Sequence, residues 1–233
     1  MQGTIEGALR QFTGEDIRVR GASRTDSGAH AQGQVVDFLT ESRHEVESFI
    51  RALNHFLPAD VRVLAARAVP PEFHSRRSAL SRLYRYQILN RPEPSAVFRT
   101  YHHWVRERLD LGLMQEAAQD LVGRHDFRII SGGHPKDRSS VRWVNHWKVE
   151  RQGEVVVIQC EANGFLRQQI RRANAILVEI GKGRWPKTAL KDILAGQCCD
   201  NMSWPSLPAK GLCLIRVNYP DSWLQVSTSN ETD

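Results

Sequence analysis

The sequence predicts an α+β protein of two related halves, in which antiparallel sheets are covered by helices. Three observations carry that expectation. Stretches of period two and period 3.6 alternate irregularly along the 233 residues, without the strand–helix–strand rhythm of a parallel doubly wound sheet. Two strand-like runs close on Gln152-Gly153 as a hairpin. The pattern then begins again beyond residues 90–94, where Pro92 and Pro94 mark the boundary between the halves.

Thr4 reads as the N-cap of a first helix whose stripe, Ile5, Ala8, Leu9 and Phe12, ends at Gly14. A strand over residues 17–20 runs into a polar loop, and residues 34–39 return as the next strand. Residues 44–57 are amphipathic, with Phe49, Ile50, Leu53 and Leu57 on one face and Pro58 after the end. Strands follow over 61–69 and 82–89. In the second of these, Leu83, Arg85 and Gln87 share one face, and Tyr84, Tyr86 and Ile88 the other.

In the second half, Asp110 caps a helix carrying Leu113, Met114, Ala117 and Leu121 that Gly123 closes. Residues 129–140 form a loop, and 141–149 with 154–160 the hairpin. A long helix with Leu166, Ile170, Ala173, Leu177 and Ile180 as its stripe ends at Gly181. A short helix over 188–196 and a strand over 211–219 complete the chain. The halves are therefore set at 1–92, expected to lack its first strand, and 93–221, with a disordered polar tail over 222–233.

Composition narrows the partner. A hydrophobic share of 41% and a charged share of 25% are those of a soluble globular protein. The net charge of +6, dominated by arginine, and a pI of about 9.4 favour an anionic partner, nucleic acid first among them. No stretch has the length of a membrane span, no signal peptide opens the chain, and the expected setting is a reducing cytoplasm. Cys160 and Cys213 sit in strand-like runs and read as buried free thiols; Cys198-Cys199 cannot chelate a tetrahedral metal as a C-x-x-C pair does. The histidines form no ligand set, and no glycine-rich nucleotide motif is present, so neither metal nor cofactor is expected.

Three segments carry the chemistry. Asp26-Ser27-Gly28 has the form of an aspartic-protease tripeptide, but Arg24 stands two residues before it, and a guanidinium favours a lone anion over a shared-proton dyad. An isolated Asp-Ser-Gly would be a simple turn; the crowding of Arg24, Asp26, His30, Gln32 and Gln34 into one connection argues for more. In the strand over 82–89, Tyr84 is either core or a face on which a nucleobase stacks, and Arg76 and Arg82 add positive charge nearby. At the start of the long helix Arg167 and Arg171, four apart, share a face fit to grip phosphate, while Arg172 reads as solvated.

These segments, in this order, resemble the tRNA pseudouridine synthase A (TruA) family. The resemblance rests on Arg24-Thr-Asp-Ser-Gly-Ala-His30, Phe73-His74, Tyr84-Arg-Tyr86, Asn163-Gly-Phe-Leu with Arg171, and Gly211-Leu-Cys-Leu214. Ser23 stands where the family usually has glycine. The resemblance implies the pseudouridine synthase fold and an isomerase that converts uridine to pseudouridine in the anticodon stem-loop of tRNA, at positions 38–40. It implies a cytoplasmic homodimer working on the tRNA anticodon arm, with no cofactor, no metal and no membrane. Asp26 falls on the catalytic aspartate, Arg24 on its partner arginine and Arg171 on the arginine that pairs with it. Tyr84 falls on the tyrosine that packs against the target base and Leu212 on an apolar residue of the central cleft between the halves, and His30 is a substrate contact. Arg167, Arg82 and Arg76 are the candidate phosphate contacts. The competing expectation is a tRNA-binding protein of the same fold without activity.

Overall fold

In the computed structural model, which describes residues 1–197 and 205–223, the apolar stripe of α1 (Gln2–Thr13) packs on that of α2 (Val46–Phe56). Leu9, Ile17, Phe49, Leu53 and Leu57 are buried between them and form the core of the first unit. Helix α1 begins two residues ahead of Thr4 and ends, as expected, at Gly14. The expected strand over 17–20 contracts to β1 (Arg20–Gly21), which pairs antiparallel with β3 (Val36–Asp37). Arg20 is bound to Asp37, and Asp37 in turn accepts the Ser75 amide at 2.8 Å.

Residues 61–69 do not form the expected strand. The Asn54 side chain accepts the Val63 amide at 2.8 Å and donates to the Val63 carbonyl at 2.9 Å. A single side-chain amide thus takes the place of a neighbouring strand, while Val61 and Val63 still pack on the core. The alternation that suggested a strand is a record of burial alone.

The second unit is built on a mixed seven-stranded sheet in the order β2-β9-β4-β8-β7-β6, with β5 also on β4. The strands are β2 (His30–Ala31), β4 (Ser81–Asn90), β5 (His103–Val105), β6 (Gly123–Asp126), β7 (Val141–Gln152), β8 (Val155–Ala162) and β9 (Leu212–Asn218). β4, β8 and β7 run antiparallel, whereas β2 on β9 and β5 on β4 are parallel. Helices α3 (Leu111–Gln119), α4 (Gln169–Gly181) and α5 (Ala189–Leu194) pack together, α3 lying against β7. Trp147 is fully buried and donates its indole N–H to Asn174 Oδ1 at 3.1 Å, which ties β7 to α4. Tyr84, Tyr86 and Ile88 are buried and Leu83, Arg85 and Gln87 half-buried, so the period-two reading of β4 holds.

The two units interleave along the chain instead of dividing near residue 92. The first takes Met1–Arg24, Gln34–Leu80 and the described part of Asn218–Asp233; the second takes Thr25–Gly33 and the described part of Ser81–Val217. The reason lies in β4, which pairs with β8 along its length and so belongs with the hairpin. Helix α3 stops at Gln119, and Gly123 opens β6 on β7 instead of closing the helix. The polar tail expected over 222–233 lies, beyond Trp223, outside the described residues, as do Cys198 and Cys199. Cys160 is buried and Cys213 half-buried, both as free thiols. Among the described residues no helix is long and apolar enough to cross a membrane.

His103 on β5 gives this unit an acid-sensitive point. Burial, with repulsion from Lys210 and Lys182, pushes its imidazole down to about 4. An unfolded imidazole protonates near pH 6.5, so between these values the unfolded chain binds a proton that the folded chain resists. Stability from this group is complete above about pH 6.5 and is lost as pH falls toward about 4. Acid unfolding of His103→Gln is expected to show a shallower loss across that window than the parent protein; equal slopes would refute the assignment.

Candidate active site

The site is assembled inside the second unit from the Asp26 loop, the first turn of α4 and the segment leading into β9. Asp26 opens a tight turn: the Ala29 amide donates to its carbonyl at 3.0 Å, and Gly28 takes φ +81°, a conformation that side chains with a Cβ rarely adopt. The chain leaving the turn is fixed by β2, where His30 pairs with Cys213 and the Gln32 amide donates to the Leu214 carbonyl at 2.8 Å. The aspartate is therefore presented from a turn whose exit is held by backbone hydrogen bonds.

Opposite it stands Arg171. Its Nη1 donates to Asp26 Oδ2 at 2.5 Å, with the two side chains 15% and 30% exposed. The same guanidinium gives its Nε–H to the Leu207 carbonyl at 2.6 Å, and the Leu207 amide returns a bond to the Arg171 carbonyl at 3.2 Å. The arginine is thus held at both ends of its fork, and it binds one carboxylate oxygen only. Among the described residues Asp26 Oδ1 has no hydrogen-bond partner. A lone carboxylate facing a guanidinium does not have the geometry of a dyad sharing one proton.

Tyr86 closes the floor. Its hydroxyl donates to the Pro208 carbonyl at 2.7 Å, and burial drives its ionisation far above the ordinary phenol value, although Arg171 pulls the other way. It stays a neutral donor that anchors residues 207–208. Gly211 makes this possible, because a Cβ there would lie 2.7 Å from the Tyr86 ring and 2.9 Å from the Gln87 carbonyl oxygen. Leu212 follows as the buried first residue of β9. Tyr84, on the same face of β4, is 3% exposed and meets Phe165 edge to face, with centroids 5.4 Å apart. The sequence assigns no role at the site to Tyr86, Leu207 or Pro208. The period of β4 was a usable signal for Tyr86, but a role played by a backbone carbonyl leaves none.

The remaining candidates separate. Arg24, expected as the partner of Asp26, belongs to the first unit and has an exposed side chain; the ion pair is made by Arg171. His30 donates from Nε2 to the Thr100 carbonyl at 3.1 Å and packs on Tyr101, bracing the loop. Arg82 is 5% exposed and donates to the Asn163 carbonyl at 2.7 Å, so it supports the segment before α4 instead of offering charge to a phosphate. Arg76 is exposed and bonds the Gly21 carbonyl.

Arg167 does not share a helical face with Arg171. α4 starts only at Gln169, after Gln168 in the left-handed region at φ 60°, and the Gly132 amide donates to the Arg167 carbonyl at 2.7 Å. The Arg167 side chain remains exposed. Arg172, expected in solvent, is half-buried and donates to the Ser131 carbonyl at 2.5 Å; burial and the neighbouring Arg167 and Arg171 lower its pKa. Among the described residues no three His, Cys, Asp or Glu side chains gather as a metal-holding group.

The chain is similar to proteins of one named family. A family model described as tRNA pseudouridine synthase matches residues 1–76 and 117–220. A protein of Roseiflexus castenholzii named tRNA pseudouridine synthase A is 40% identical over 225 residues, covering 95% of this chain and 82% of the relative. One of the same name from Moorella thermoacetica is 40% identical, covering 94% and 89%. Another from Sinorhizobium fredii is 38% identical, covering 94% and 90%.

Proposed function

This chain belongs to the tRNA pseudouridine synthase A family, and on that premise we propose that it isomerises uridine to pseudouridine in the anticodon stem-loop of tRNA, at positions 38–40. The observation that carries the proposal is the Asp26–Arg171 pair, which leaves one carboxylate oxygen open. The reaction breaks the N1–C1′ bond, turns the uracil and joins C5 to C1′. The C5 proton leaves and N1 gains one, so atoms balance with no redox step. The chemistry needs a fixed anion beside the sugar and the ring, acting as nucleophile or as proton acceptor. Asp26 supplies it, and Arg171 holds it aimed.

A uridine stacked in a helix is out of reach and must be extruded. Tyr84 then offers its ring face to the base, Leu212 an apolar wall, and His30 keeps the Asp26 loop in place. Arg24, exposed two residues before Asp26, is a contact for the incoming RNA, as are Arg76 and Arg167 on their own surfaces. The protein works in the cytoplasm as a homodimer and without a cofactor.

The test is to incubate the protein with unmodified tRNA and map pseudouridine in the anticodon arm. Product there supports the reading, and tight binding of tRNA without product overturns it in favour of a binding protein. In the same assay Tyr84→Phe, which keeps the ring, is expected to turn over near the parent rate. Tyr84→Leu, which keeps apolar bulk but no π face, loses the ~1–3 kcal/mol of one stacked base, in kcat more than in affinity. Equal rates for the two variants would refute the stacking role.

A further inference from the structure

Away from Asp26, a cavity of about 710 Å³ opens where the ends of β4 and α4 meet the start of α3 and the strand that precedes it. Four arginines line it, Arg91, Arg106, Arg108 and Arg151, against one carboxylate, Asp110. Such a concentration of like charge is self-repelling unless an anion joins it. Among the acids nearby only Glu154 reaches one of these arginines, Arg91. Asp110 caps α3, accepting the Leu113 amide at 3.1 Å, while its own amide donates to the Gly181 carbonyl at 2.8 Å. Glu154 is paired with Arg91 and Glu107 with Arg184, each at 2.8 Å.

The arginines divide by what they already hold. Arg91 places its other N–H groups on the Glu93 and Pro94 carbonyls, and Arg151 bonds Asn90 Oδ1 at 2.9 Å. Arg106 and Arg108 are exposed and, among the described residues, have neither a hydrogen-bond nor an ion-pair partner. The lining has no aromatic side chain for stacking a base, and the amide of Asn90 is taken by the Val105 and Glu107 carbonyls and by Arg151. Guanidinium forks without base-reading groups match phosphate oxygens. Gly181, on the cavity wall, lies ten residues after Arg171 on α4, about 15 Å along the axis at ~1.5 Å per residue.

We propose that this cavity is a second RNA contact, in which Arg106 and Arg108, backed by Arg151, grip phosphodiester oxygens of the substrate stem beyond the reacting nucleotide. The proposal rests on the tRNA reading above. It is tested with the Arg106→Gln/Arg108→Gln double variant of the full chain, by filter binding of tRNA over a range of salt and by turnover at saturating tRNA. Because neither side chain has an internal partner, the thermal midpoint should not move. Affinity is expected to fall about tenfold or more, and the slope of log K against log[salt] to shrink by about 1–2, with kcat at saturation unchanged.

Parent-like affinity and slope would overturn the proposal. A third arm titrates inorganic tripolyphosphate. If the parent binds it and the variant does not, while both bind tRNA alike, the cavity takes a free polyphosphate and the RNA assignment fails. Absence of pseudouridine with the parent protein would instead defeat the isomerase reading, and the binding arm would still decide the cavity.

Discussion

Asp26→Ala and Asp26→Asn are expected to abolish pseudouridine formation, with rates lowered roughly 10³-fold or more, while tRNA affinity stays near that of the parent. The two substitutions remove the anion in different ways. Alanine deletes the side chain; asparagine keeps its size but offers a neutral amide, which neither attacks carbon nor accepts a proton at neutral pH. Both break the ion pair with Arg171, whose guanidinium keeps its bond to the Leu207 carbonyl and is not left wholly unpaired. A partly exposed pair of this kind contributes about 1 kcal/mol or less to stability, so the thermal midpoint should fall by no more than about 2–4 °C. Product formed by Asp26→Asn at a rate near that of the parent would remove Asp26 from the chemistry. A large loss of folded protein would show instead that the turn is chiefly structural.

Arg171→Met is expected to lower kcat by about 10²–10³-fold, the scale seen when one preorganised electrostatic partner is removed. Arg171 acts here as a positioning residue: it holds Asp26 Oδ2 and the Leu207 carbonyl at once. Lysine carries the charge but has no planar fork to reach both, so Arg171→Lys should recover only part of the rate. The effect belongs in kcat and not in RNA affinity, because the guanidinium is largely buried and already paired. Since Arg171 works through Asp26, the Asp26→Ala/Arg171→Met double variant should be no slower than Asp26→Ala alone, apart from a few-fold. Losses that multiply would show that the two act independently.

Much of the fold was legible because helices and strands write their buried faces into the local period. The stripes of α1, α2 and α4, the Asp110 cap and the alternating face of β4 are all of this kind. The errors have a common origin. Residues 61–69 alternate because Val61 and Val63 touch a core, yet the Val61 amide bonds the Pro58 carbonyl, Asn54 bonds Val63, and no strand forms. β6 is only four residues long, and its first residue, Gly123, has the local context of a helix stop. Arg82 and Arg172 looked like surface charge because arginine usually is; each instead donates to a backbone carbonyl that no sequence pattern announces.

By itself, the sequence determined the class of chemistry: an aspartate on a glycine-shaped turn, tyrosines on one face of a strand, arginines at the head of a long helix, and a basic chain for an anionic partner. Those are local features, carried by neighbours within a few residues. The resemblance names two arginines for the aspartate, Arg24 and Arg171, and the tertiary structure shows the ion pair with the second. Arg24 is two positions from Asp26, yet the ion pair forms with Arg171, 145 residues away. The parallel pairing of β2 with β9 places the loop, and the bonds between Arg171 and Leu207 place the guanidinium. Proximity along a chain limits which groups can meet. The hydrogen-bonded frame around them selects the pair that does.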